Sequence, residues 1–256
     1  MRWAAMARLL ALTAAVTGVA GCASSGDLPK DPERRKALAK VRTELAANYY
    51  QQAKYGVALE EIEKALRANS DYAPAYNLRG LVHMQLQEDG EAETDFQRAF
   101  QVDPADSETH NNYGWFLCQR GRERESIKHF LIAASDPLYE TKAGAYLNAG
   151  ICSRKAGKLD EAGTFLQRAL ILQPDFAQAL AELADLAYAN GDYNGAKSYF
   201  ARFEKLQGVK PSSENLLLAV RIERKLGDRR GEAAYAARLK RDFPDSREAK
   251  VLGQIR

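Results

Sequence analysis

Asn111-Asn112-Tyr113-Gly114-Trp115-Phe116-Leu117-Cys118 and Tyr146-Leu147-Asn148-Ala149-Gly150-Ile151-Cys152 are near-copies of one phrase. The first runs on to Gly121 and the second to Gly157, and 36 residues separate both Gly114 from Gly150 and Gly121 from Gly157. Self-similarity at this period marks stacked helix pairs, because a single pair cannot bury its apolar face alone.

Working outward, a frame of 34 positions carries the pattern along most of the chain. It asks for a bulky residue at 4, a small one at 8, Ala at 20, an aromatic at 24, Ala at 27 and Pro at 32, the tetratricopeptide (TPR) pattern. The repeat from Ala73 supplies Tyr76, Gly80, Ala92, Phe96, Ala99 and Pro104. The repeat from Ala143 supplies Tyr146, Gly150, Ala162, Leu166, Ala169 and Pro174. Weaker copies extend the array to six units, 39–72, 73–106, 107–142, 143–176, 177–212 and 213–246. Outer repeats drift because one of their faces meets solvent.

The spacing has physical causes. Small residues at 8 and 20 let the two helices of a hairpin approach closely, and the large residue at 24 fills the space between hairpins. Pro at 32 ends the second helix, since it lacks an N–H and clashes with the preceding turn. Glycine at 15 (Gly121, Gly157, Gly191, Gly227) permits a left-handed turn between helices. The expectation is an all-α, right-handed superhelix of six TPR units over 37–250, with a tail at 247–256. Its concave face is lined by the first helix of each unit.

The N-terminus has another character. Arg2 and Arg8 precede a short apolar run, Leu9 to Ala20. That is a secretory signal, and too short for the roughly 20 apolar residues of a membrane span. It ends in Val19-Ala20-Gly21-Cys22, which resembles the bacterial lipobox. There 1–21 is removed and the Cys22 thiol carries lipid; the plainer reading is an ordinary signal with a chance cysteine. Lipid makes a chain anchored to the membrane rather than spanning it. Residues 22–36 read as the lipidated end and a flexible tether. No Asp follows Cys22 directly, which by resemblance to enterobacterial sorting implies the outer membrane, facing the periplasm.

Composition excludes several classes. With 46% hydrophobic and 28% charged residues the remainder is an ordinary folded protein. Loss of the signal lowers the net charge of +3 to about +1, so no global balance points to a polyanionic partner. No phosphate-binding glycine loop, Gly-x-Ser-x-Gly or His-Glu-x-x-His is present, and no catalytic residue, cofactor, metal site or small-molecule substrate is expected. His83, His110 and His129 occupy packing or surface positions. Eleven Lys/Arg against seven Asp/Glu gather from Ser213 to Arg256. Without interleaved aromatics they read as a solvated face, with no nucleic acid.

In TPR arrays first-helix positions 2, 5, 9, 12 and 13 face the groove. Here they offer Tyr50, Asn77, Leu81, Met84, Asn111, Trp115 and Ile151, an apolar strip edged with amides that suits a partner's apolar segment. The competing reading is that some of these side chains only pack between helices. Cys118 and Cys152 stand at positions 12 and 10 of first helices that neighbour each other. With Cys22 taken by lipid, they are the two thiols left in an oxidising compartment, and a disulfide joining repeats three and four is expected. The other reading is a pair of buried free thiols.

The two cysteine phrases, with the lipobox, the short tether and the six repeats, resemble the PilF/PilW family of type IV pilus biogenesis lipoproteins. The resemblance covers nearly the whole chain. It implies a pilotin, a non-enzymatic protein that binds the outer-membrane secretin of the pilus and aids its localisation and multimerisation. A TPR lipoprotein adaptor for another envelope machine, serving peptidoglycan hydrolases or outer-membrane assembly, is the alternative.

Overall fold

The computed structural model describes residues 28–254. Among them are thirteen helices and no strand. Six antiparallel pairs follow in order: α1 Pro32–Gln51 with α2 Tyr55–Ala68, α3 Ala73–Leu86 with α4 Asp89–Val102, and α5 Ser107–Gln119 with α6 Glu123–Ser135. Then come α7 Lys142–Lys155 with α8 Leu159–Leu172, α9 Ala177–Ala189 with α10 Tyr193–Glu204, and α11 Ser213–Leu226 with α12 Arg229–Asp242. A single helix, α13 Arg247–Gln254, closes the array. Each first helix touches its own partner and the first helix of the next unit, so contacts run only between neighbours.

Within a pair the small-residue positions set the separation. A methyl added at Gly80 would meet Phe96 at 3.0 Å, and one at Gly114 would meet Phe130 at 2.9 Å. The residue at position 24 therefore fills space inside its own hairpin as well as between hairpins. Phe96 does both, since its ring also lies 5.5 Å from Tyr113 and 5.8 Å from Phe116 of the next unit, centroid to centroid.

Turn geometry follows the glycines. Gly121, Gly157, Gly191 and Gly227 all have φ between 76° and 81°. The first two units use the same turn without glycine, placing Ala53 (φ 55°) and Gln87 (φ 62°) in the left-handed region. At the far end of the hairpins the residues before Pro104, Pro174 and Pro244 leave the helical region: Asp103, Gln173 and Phe243 each have φ −138°, and the first two are extended. Asn69 adopts φ −145° although Ser70 stands where proline would.

Two boundaries differ from the expectation. The segment read as tether is helical from Pro32, because Asp31 accepts the Glu33 amide and Pro32 suits the first helical position. Within the segment read as a tail, 247–256, the described residues Arg247–Gln254 form α13. Ser246 Oγ accepts the Ala249 amide, and Ala249 and Leu252 pack on Leu216, Leu217, Val220 and Leu239. This cap covers the apolar face that the last repeat would otherwise expose.

Candidate functional site: the concave face

The concave face is a row of first helices, so each groove residue is one that a stacked neighbour has left uncovered. Leu81 (α3) and Trp115 (α5) are half-buried ledges, each bridging two core clusters. Tyr50 (α1) is half-buried, its ring 5.9 Å from that of Tyr55 and its hydroxyl accepting from Gln85 Nε2 at 3.3 Å. Between α3 and α5 an open recess of about 630 Å³ is lined by Met84, Gln85, Asp89, Trp115, Gln119 and Arg120. Arg120 is fixed over the Phe116 ring and held by Asp89, whose carboxyl lies below its ordinary range because Arg120 donates to it.

Two expected groove residues are not available to a partner. Met84 is 8% exposed, packed among Ala92, Phe96, Tyr113 and Phe116, and only its edge reaches the recess. Asn77 is 6% exposed and accepts from Asn112 Nδ2 at 3.2 Å. One unit on, Asn111 accepts in the same way from Asn148 Nδ2 at 3.0 Å. Both amide pairs link successive repeats, and at Asn77 the buried amide finds its partner on the next first helix instead of edging the groove, while Asn111 stays half-buried. Ile151 is half-buried against the C-terminal cluster.

Beneath the middle of the groove Cys118 and Cys152, both fully buried, are joined as a disulfide with Cα atoms 5.9 Å apart. Lys155 Nζ donates to the Cys118 carbonyl at 3.0 Å across the same junction. Cys22 lies outside the described residues.

The C-terminal half of the groove is charged, which the choice of an apolar strip overlooked. A recess of about 470 Å³ lies between α9, α11 and α13. Arg154, reaching in from α7, ion-pairs with Asp185 and sits 3.0 Å from Glu182 Oε2, though without hydrogen-bond alignment. Burial raises the Glu182 carboxyl against the lowering effect of Arg154. The signal was in the sequence, since Arg154 and Asp185 fall at groove positions 12 and 9.

The histidines make no metal site, and among the described residues no group of three His, Cys, Asp or Glu side chains is arranged to hold one. His110 and His129 instead meet at the junction of repeats two and three, Nδ1 to Nδ1 at 2.8 Å, with His110 Nε2 3.1 Å from the Pro104 carbonyl. Phe100 and Tyr113 pack on the pair. A carbonyl only accepts, so His110 carries its proton on Nε2 and His129 donates from Nδ1. No described helix is long and apolar enough to cross a membrane.

Tetratricopeptide repeat models match residues 43–107 and 153–205. The type IV pilus assembly protein PilF of Pseudomonas aeruginosa is 30% identical over 234 residues, 90% of this chain and 92% of that protein. The chain belongs to the PilF/PilW family. A crystal structure of PilW, described as a widely conserved type IV pilus biogenesis factor, superposes with a TM-score of 0.77 at 34% identity, covering 84% of this chain and 97% of that one. The Pseudomonas aeruginosa PilF structure gives 0.78 at 27% identity, over 87% and 99%. The PilF/PilW likeness thus takes in most of the chain and not a generic pair of repeats.

Proposed function

We propose that this chain is an outer-membrane lipoprotein of type IV pilus biogenesis, acting as a pilotin. It is anchored through acylated Cys22, faces the periplasm, and binds the pilus secretin to promote its localisation and multimerisation. The observation that carries this reading is the family membership over nearly the full array, together with the lipobox ahead of it. The protein acts without catalysis, as a surface that holds another chain.

The half-buried ledges Tyr50, Leu81 and Trp115 receive an apolar segment of the secretin, with Gln85 and Gln119 meeting its backbone. Aromatic anchors at the centre of such a contact dominate its affinity. The test is co-purification of the secretin from detergent-solubilised outer membrane. Trp115→Ala and Leu81→Glu should each reduce recovered secretin and its multimers while the helical signal stays intact. Normal recovery with both folded variants would remove the groove from the interface. Recovery of a peptidoglycan hydrolase in place of a secretin would replace the pilotin with an envelope adaptor.

A further inference from the structure

α1 is 20 residues long, where the first helices of the other repeats have 13 or 14. The 14-residue α2 covers only its later turns, which bury Ala39, Thr43 and Ala46. Every residue from Lys30 to Ala37 is exposed. Arg35 and Lys36 stand four and three residues ahead of Ala39, so they continue the buried stripe past the end of the array. From Lys30 to Lys40 there are five basic side chains (Lys30, Arg34, Arg35, Lys36, Lys40) and two acidic ones (Asp31, Glu33). The overhang does not neutralise itself. Arg34 lies 3.7 Å from Asp31 and Lys40 4.0 Å from Glu44, in pairs more than half exposed that contribute almost nothing. Lys30, Arg35 and Lys36 form no ion pair among the described residues.

We propose that this basic overhang docks on the anionic lipid headgroups of the membrane that holds the chain. The proposal rests on acylation of Cys22 for its geometry. Lys30 comes eight residues after Cys22, a span of at most about 28 Å when fully extended, which lets the overhang lie on the surface. Clustered Lys and Arg beside an anchor are drawn to anionic headgroups, and the attraction acts only within a Debye length of roughly 8 Å. The basic repeat six does not compete for this role. It stands at the other end of the array, and three of its arginines are engaged, Arg224 by Glu232 at 2.7 Å, Arg238 by Glu204 at 2.6 Å and Arg241 by Asp242 at 2.8 Å.

The test uses a chain that begins at Ala23, which lacks the acyl group and keeps every residue of the described array; its helical signal is checked first. Co-sedimentation is measured with vesicles of phosphatidylcholine alone and of phosphatidylcholine mixed with phosphatidylglycerol. Binding is expected on the mixed vesicles only, and is released by raised salt. Arg34→Gln, Arg35→Gln and Lys36→Gln together should weaken it roughly a hundredfold, about fivefold per charge. Arg229→Gln, Arg230→Gln and Lys240→Gln together should leave it nearly unchanged. Equal binding to neutral vesicles, an unaffected overhang variant, or loss in the repeat-six variant instead would overturn the proposal. So would an absence of vesicle binding combined with loss of secretin capture in the overhang variant, which would assign the overhang to an acidic protein surface. Failure of the acylation reading would show in the mass of the mature chain and leaves the vesicle result standing on its own.

Discussion

Leu166 lies against the backbone of Gly150 so closely that a methyl on the glycine would meet Leu166 Cγ at 2.7 Å and the Ala162 carbonyl oxygen at 3.2 Å. The backbone oxygen cannot swing aside, so the α7–α8 hairpin must open to admit even alanine. Gly150→Ala should therefore destabilise by about 1–3 kcal/mol, despite the better helix propensity of alanine. Gly144, in the same helix, has nothing within 4 Å of its missing Cβ. There the propensity gain is unopposed, and Gly144→Ala should stabilise by roughly 0.5–1 kcal/mol. Urea midpoints of the two variants measured side by side decide the matter; equal shifts in one direction would refute it.

Gln87 occupies a left-handed conformation that its counterparts Gly121 and Gly157 reach without a Cβ penalty. That penalty is about 1–2 kcal/mol for an L-residue, partly offset by the greater chain entropy glycine gives up on folding. Gln87→Gly should raise the thermal midpoint, reflecting a net stabilisation of roughly 0.5–1 kcal/mol. A lower midpoint would mean that the Gln87 side chain makes a contact worth more than the backbone strain.

The His110–His129 contact should make the fold sensitive to mild acid. Burial, and then the charge of His110, press the His129 imidazole down to about 4, and burial lowers His110 as well. Glu125 at His129, and the Pro104 carbonyl and then Asp106 at His110, pull the other way without prevailing, and Arg122 and Lys128 add to the lowering at His129. Both folded values lie below the unfolded one, so the unfolded chain binds more protons and stability falls with pH from about 6.5 toward about 4. The slope is at most roughly 1.4 kcal/mol per pH unit for one group. Thermal midpoints from pH 7.5 to 5.5 should fall in the native protein and flatten in His129→Phe, which places there the residue type Phe165 supplies one unit on. An unchanged slope would exonerate the pair.

Cys118 and Cys152 close a loop of 34 residues at the centre of the array. In the chain-entropy account such a link stabilises by roughly 3–4 kcal/mol. Reduction should lower the thermal midpoint by several degrees and increase hydrogen exchange in α5 and α7 before the outer repeats. Neither cysteine should be alkylated in the native, unreduced protein. Two alkylated thiols in that state would mean the bridge is not formed.

The all-α class, the helix pairs and the turn positions were legible in the sequence because each rests on local facts. Gly at a left-handed turn, Pro past a helix end and a small residue opposite a large one act within a few residues or one hairpin. Even so, Ala53, Gln87 and Asn69 hold the repeat's turn geometry without the residue that advertises it, because the packing of adjacent helices imposes that geometry. The groove was legible only in part. Met84 and Trp115 occupy adjacent steps of the same pattern, yet one is buried and the other is a ledge; Asn77 turned inward to Asn112 instead of outward to a partner. A residue's groove exposure is decided by the curvature between first helices some 34–37 positions apart, and no local signal carries that angle. The helical start at Pro32 stood written in Asp31-Pro32, whereas the role of α13 did not. A short polar helix becomes a cap only when the last repeat presents Leu216, Leu217 and Val220 with nothing else to cover them.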